Sequence, residues 1–150
     1  MIRSLAAAVM ILVGTAGSNA ATFRLEGTTI YMSGRIVAAD PLRLSQLIDR
    51  GARSIVLESP GGLVAAGAYM ADMIHAARLK TVVRGDCASA CVMMFYAGSA
   101  RQLSGRLGIH NASDTIGTAN YVAQLKRYGA PAEVLHAART TPAGNIVWVR

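Results

Sequence analysis

Residues 54–67 read Ser54-Ile55-Val56-Leu57-Glu58-Ser59-Pro60-Gly61-Gly62-Leu63-Val64-Ala65-Ala66-Gly67. The first four are a short, almost wholly apolar run of the kind that parallel sheets bury on both faces. Ser59-Pro60-Gly61-Gly62 breaks that run, and a helical period follows, with Leu63, Gly67, Met70, Ile74 and Ala77 spaced by fours and threes. Strand, tight glycine turn and helix in this order make one βα unit, with Gly67 expected to let the helix pack closely.

The same alternation extends in both directions. Upstream, Thr29 to Met32 reads as a strand ending at Gly34, and Pro41 to Ile48 as a helix stopped by Gly51. Downstream come a strand at Thr81 to Val83, an apolar helix from Cys87 to Tyr96, and a strand Leu107-Gly108-Ile109 that delivers His110 at its end. Helical stretches follow at 118–128 and 131–138, then an apolar piece from Ile146 to Val149. Alternating strands and helices define the α/β class with a mostly parallel sheet.

The first twenty residues are read as a signal peptide, with Arg3 as the positive start, Leu5 to Val13 as the apolar stretch and Ser18-Asn19-Ala20 as the cleavage site. Cleavage after Ala20 leaves residues 21–150 as one domain without a stable membrane anchor, in a bacterial periplasm or outside the cell. The hydrophobic content of 53% against 15% charged residues describes a globular core rather than a disordered chain. The net charge of +7 comes mostly from scattered arginines, with no basic run or aromatic-interleaved stripe, which argues against a nucleic-acid partner.

Chemistry is expected at two strand-to-helix junctions, where free backbone N–H groups can hold an anionic oxygen. At the first, paired glycines let the Gly62 N–H approach a ligand closely, although Pro-Gly-Gly is also a common plain turn. The second is Gly85-Asp86-Cys87-Ala88-Ser89-Ala90-Cys91, where Ser89 is either a helix cap or a nucleophile whose oxyanion the Ala90 N–H would stabilise. His110 supplies a base for it. His75 and His136 fall in helical, Ala-rich segments and read as ordinary helix residues.

Together Ser59-Pro60-Gly61-Gly62, Leu63 to Gly67, Ala88-Ser89-Ala90 and Gly108-Ile109-His110 resemble the Clp-protease/crotonase superfamily, most closely exported Clp-protease-like proteins. The resemblance runs from about Ile30 to Trp148. It implies a spiral of ββα units, an oxyanion hole from Gly62 and Ala90, and catalytic Ser89 and His110. The acid of the family's triad would fall near 145–148, where Asn145 stands; an amide can orient the imidazole but brings no charge to it. Asp114, four residues beyond His110, is a weak substitute and reads better as a loop residue. The resemblance also implies that the domain lacks the family's C-terminal end, and it is compatible with a homo-oligomer.

The pair Cys87 and Cys91 brackets Ser89. Two cysteines in an exported chain favour a disulfide over free or metal-binding thiols, provided that Cys87 lies outside the helix. No cofactor or metal is expected. The function implied is a peptidase-like serine hydrolase acting on peptide or other acyl bonds. The alternative is a catalytically weak or inactive Clp-like binding or scaffold protein of the periplasm. An acyl-CoA enzyme is disfavoured by export.

Overall fold

A computed structural model describes residues 20–150. The signal peptide and cleavage site expected from the sequence fall on residues 1–20, outside the described residues except for Ala20. Strands β1 (Thr22–Glu26) and β2 (Thr29–Ser33) form an antiparallel hairpin, and helix α1 (Asp40–Asp49) leads to β3 (Ser54–Ser59). Helix α2 (Val64–Ala76) connects β3 to β4 (Lys80–Ala88), and helix α3 (Ala90–Tyr96) connects β4 to β5 (Ala100–Leu103) and β6 (Arg106–Ile109). Helices α4 (Thr115–Arg127) and α5 (Ala132–Thr140) precede β7 (Val147–Val149). The seven-stranded sheet runs β1-β2-β3-β4-β6-β7; β2 through β6 are parallel to one another, and β7 is antiparallel to β6. This is the mostly parallel α/β architecture the alternating pattern predicts.

Two features differ from the sequence reading. Strand β4 extends to Ala88, and α3 begins only at Ala90, so Cys87 is a strand residue. Beyond Val83 the register shifts, and β4 gives its outer edge first to β5 and then to β6, pairing Asp86 with Arg106 and Ala88 with Gly108. β1 and β5 are absent from the sequence reading: β1 alternates Phe23 and Leu25, which pack on the core, with exposed polar residues over only five positions, and β5 turns only Leu103 inward.

The core lies between the sheet and its helices. Helix α3 is apolar on every side and all seven of its residues are buried, as a helix without a polar face must be. Val92, Met93, Met94 and Phe95 alone stabilise its placement by roughly 6–12 kcal/mol, taking 1.5–3 for each buried side chain. Helix α2 packs on it with Gly67 at the contact, facing Ala90 and Met93. A methyl group at Gly67 would meet Ala90 Cβ at 2.9 Å, which is the close packing expected there. Leu63 leaves the predicted stripe: it is the extended residue before α2 and is 49% exposed.

Candidate active site

The turn between β4 and α3 is set by its backbone. Ser89 has φ 54° and ψ −124°, a region that a residue with a side chain occupies only under strain, at a cost of roughly 1–3 kcal/mol. Burial of α3 exceeds that cost, so the packed helix and the strand on either side hold the serine in place. Its N–H donates to Gly108 O at 2.8 Å, and its carbonyl accepts from the Val92 N–H at 2.9 Å. Its side chain accepts no bond from the first turn of α3, so Ser89 is not the side-chain cap that its position also allowed.

Cys87 and Cys91 form a disulfide across this turn, with Cα atoms 5.4 Å apart and both side chains fully buried. The bridge ties the end of β4 to the first turn of α3. Among the described residues no group of side chains could hold a metal ion.

The glycine turn meets the serine turn directly. Gly61 and Gly62 both have positive φ, 92° and 149°. A side chain on Gly61 would strike Ser89 Cβ at 2.6 Å and Ala88 O at 2.8 Å, and one on Gly62 would enter the Ile36 backbone. Ile36 N–H donates to Gly61 O, and Leu63 N–H to Ile36 O, in the manner of a parallel bridge. In such a bridge the Gly62 N–H itself points away from Ile36, toward the side on which β4 and the start of α3 lie. The Ala90 N–H belongs to the first turn of α3, where helix geometry provides no intrahelical acceptor.

His110 completes the group. Because Ala88 pairs with Gly108, Ser89 and His110 leave adjacent strand ends one and two residues beyond that pair. Ser89, His110 and Gly62 all line one cavity of about 770 Å3. Ser89 and the ring are not hydrogen-bonded to each other; such contacts commonly tighten only in the substrate complex. The ring's Nδ1 lies 2.6 Å from the carbonyl of Asn111. A carbonyl can only accept, so Nδ1 carries a proton, and in the neutral ring it is Nε2 that has the lone pair.

Among the described residues this carbonyl, and not Asn145, is the partner of the ring. Asn145 is exposed in the turn before β7, its N–H donating to Pro142 O, and it does not line the cavity. Asp114 does line the cavity, but its carboxylate caps α4 by accepting the Gly117 N–H at 2.7 Å. His75 and His136 lie in α2 and α5, as read from the sequence.

The sequence reading did not anticipate the cavity's far wall, which Arg35 to Ala38 form. Fully buried Asp40 holds that wall, accepting the Val37 N–H at 2.8 Å with Arg43 Nη1 at 3.5 Å. The signal for it in the chain is an acidic residue directly before the helix read at Pro41 to Ile48, which by itself does not mark a cavity wall.

No protein-family profile and no curated protein matches the chain. Solved structures do. ClpP1 from Listeria monocytogenes has a TM-score of 0.66 at 19% identity, with 81% of this chain and 82% of that one covered. An asparagine-to-aspartate mutant of the same ClpP1 has a TM-score of 0.65 at 20% identity, with the same coverage. The chain therefore has the Clp-protease fold.

Proposed function

We propose that this chain is a serine hydrolase acting on peptide or other acyl bonds, with Ser89 as nucleophile and His110 as general base. The observation that carries the reading is the convergence of Ser89, held at positive φ, with His110 and Gly62 on one cavity.

In the first step Nε2 of His110 takes the Ser89 hydroxyl proton while Oγ adds to the acyl carbon. The negative oxygen that forms is held by the N–H groups of Gly62 and Ala90, each such donor being worth about 2.7–4 kcal/mol in comparable sites. The imidazolium then returns its proton to the leaving group, which departs and leaves an acyl-serine. A water molecule, deprotonated by the same ring, releases the acid and restores the hydroxyl. The Asn111 carbonyl keeps the ring in the required tautomer throughout. Export through the leader at residues 1–20 is part of this proposal, and a compartment that oxidises thiols agrees with the Cys87–Cys91 bridge.

One observation favours a second reading, that of a binding protein with little turnover: the ring's Nδ1 faces a neutral carbonyl rather than a carboxylate. A fluorophosphonate probe followed by peptide mapping separates the two. Labelling is expected at Ser89, lost in Ser89→Ala, and slowed roughly 10²- to 10⁴-fold in His110→Gln. Labelling that survives Ser89→Ala would reject the hydrolase assignment, and a folded protein that never labels would favour the binding reading.

A further inference from the structure

Helices α2, α3 and α4 all begin at the cavity that holds Ser89, and all three end at a second cleft of about 720 Å3. His75, Arg78, Tyr96, Arg101, Arg127 and Tyr128 stand in its wall, and no carboxylate does. Asp72 lies behind it, 3.6 Å from Arg127 and hydrogen-bonded by Tyr128 Oη; Glu133 is within electrostatic reach of Tyr96. Among the described residues neither Arg78 nor Arg101 has a carboxylate within 4.0 Å.

One role for these arginines is to offset the negative ends of the three helices. Each end carries about half a negative charge, and less where it is exposed. Three ends thus amount to about one and a half charges against three guanidiniums, of which Asp72 offsets one. The two guanidiniums without a carboxylate partner, Arg78 and Arg101, exceed the three helix ends by about half a charge. Arg78 also sits where the chain disfavours it. It follows the cap of α2 at φ 54°, its N–H bonded to His75 O and the Leu79 N–H to Ile74 O, in a turn for which glycine is the favoured residue. A glycine would close α2 better but would remove the guanidinium from the cleft.

We propose that this cleft binds a small multivalent oxyanion, a phosphate monoester or a polycarboxylate, with Arg78 and Arg101 as its main ligands. The planar guanidinium fork matches both groups. The cleft exceeds the size of a bare oxyanion and falls in the range of about 300–1,000 Å3 typical of small organic ligands. The Tyr96 and Tyr128 rings are largely buried behind the wall, with Arg101 over one and Arg127 over the other, so the cleft offers a ligand mainly the guanidiniums.

The test uses the full chain, expressed with export so that the bridge forms, in calorimetry and thermal melts at constant ionic strength. The probes are phenyl phosphate, citrate, and acetate as a monovalent control. Phenyl phosphate or citrate is expected to bind saturably and raise the melting temperature. Arg78→Gly and Arg101→Gln should each weaken that binding about tenfold or more. Without probe, Arg78→Gly should melt no lower than wild type, since glycine accepts positive φ, so lost binding would not reflect unfolding. Binding of phenyl phosphate alone would assign the ligand to phosphate esters, and binding of citrate alone to polycarboxylates; either upholds the site. Three results would overturn it: no saturable binding of either probe up to about 10 mM, ten times a 1 mM Kd; acetate binding as tightly as both; or full affinity in the double variant.

Discussion

Removing the Cys87–Cys91 bridge tests whether the serine turn is held covalently. The bridge closes a loop of only five residues, so the loop-entropy relation gives about 2 kcal/mol, near the low end for disulfides. For a domain of this size that is a fall of roughly 6–10 °C in melting temperature. A second effect falls on Ser89 alone. Its positive φ stores roughly 1–3 kcal/mol, and without the bridge the turn depends on the Gly108 hydrogen bond and the packing of α3. If the turn relaxes, placing the hydroxyl again costs that energy, equivalent to about 5- to 150-fold in rate. The experiment compares Cys87→Ala/Cys91→Ala with wild type, measuring melting by circular dichroism and fluorophosphonate labelling well below the transition. Labelling should fall although the protein remains folded. Adding Ser89→Gly to the bridgeless chain should raise its melting temperature, because glycine takes positive φ without strain. Wild-type melting together with a wild-type labelling rate would refute this account.

Gly62→Ala should destabilise the chain by about 2 kcal/mol or more, because the added carbon would enter the Ile36 backbone at a positive φ; a denaturant midpoint equal to wild type would contradict it. Asn145→Asp should leave labelling and hydrolysis unchanged, since Asn145 is exposed and the ring is held by the Asn111 carbonyl; a tenfold gain in rate would show that the β7 turn supplies the third group after all. Arg106 bonds the Asp86 carboxylate through two N–H groups, at 2.7 and 3.0 Å, and holds it below the usual carboxylate range. That contribution to stability is present above about pH 4 and is lost as pH falls through the lowered value, because the unfolded chain binds the proton first. Asp86→Asn should therefore melt with a flatter acid limb, and an unchanged limb would remove the ion pair from the account.

The parts of the fold legible in the sequence are those where one face had to be apolar. β3 and the buried stripe of α2 follow directly from their periodicity, and Gly61 and Gly62 from the turn between them. A Cys87–Cys91 bridge required Cys87 to lie outside the helix read from Cys87 to Tyr96, because helical residues four apart are slightly too distant for it, and the strand assignment meets that condition. β5 was not legible, since exposed residues on a short strand leave no pattern, whereas β1 alternates Phe23 and Leu25 with polar residues, a signal the reading from Thr29 onward passed over. The wall at Arg35 to Ala38 was hidden for another reason: it lies between a strand and a helix and is held by one buried carboxylate, Asp40, and neither feature is distinctive in a sequence. The partner of His110 is likewise a main-chain oxygen, and a side-chain search at 145–148 could not find it.

In the proposed mechanism that oxygen divides the work usually given to a triad's acid. The first task is to fix the tautomer and the ring's direction. The Asn111 carbonyl does this, and it is itself held because the Asn111 N–H donates to Thr141 O at 2.8 Å, at the end of α5. The second task is to stabilise the imidazolium once it has accepted the serine proton. A carboxylate 4–5 Å away would supply about 3–4 kcal/mol at an effective dielectric of 20, and a carbonyl dipole only a fraction of that. The deficit amounts to roughly two decades in rate. It falls most heavily on amides, whose departure requires a proton from the imidazolium, and least on activated esters, whose leaving groups depart as anions. The donors proposed for the oxyanion, Gly62 and Ala90 N–H, are unaffected by it. A site of this construction should therefore acylate readily from esters and fluorophosphonates and cleave peptides slowly, in proportion to the charge missing behind the ring.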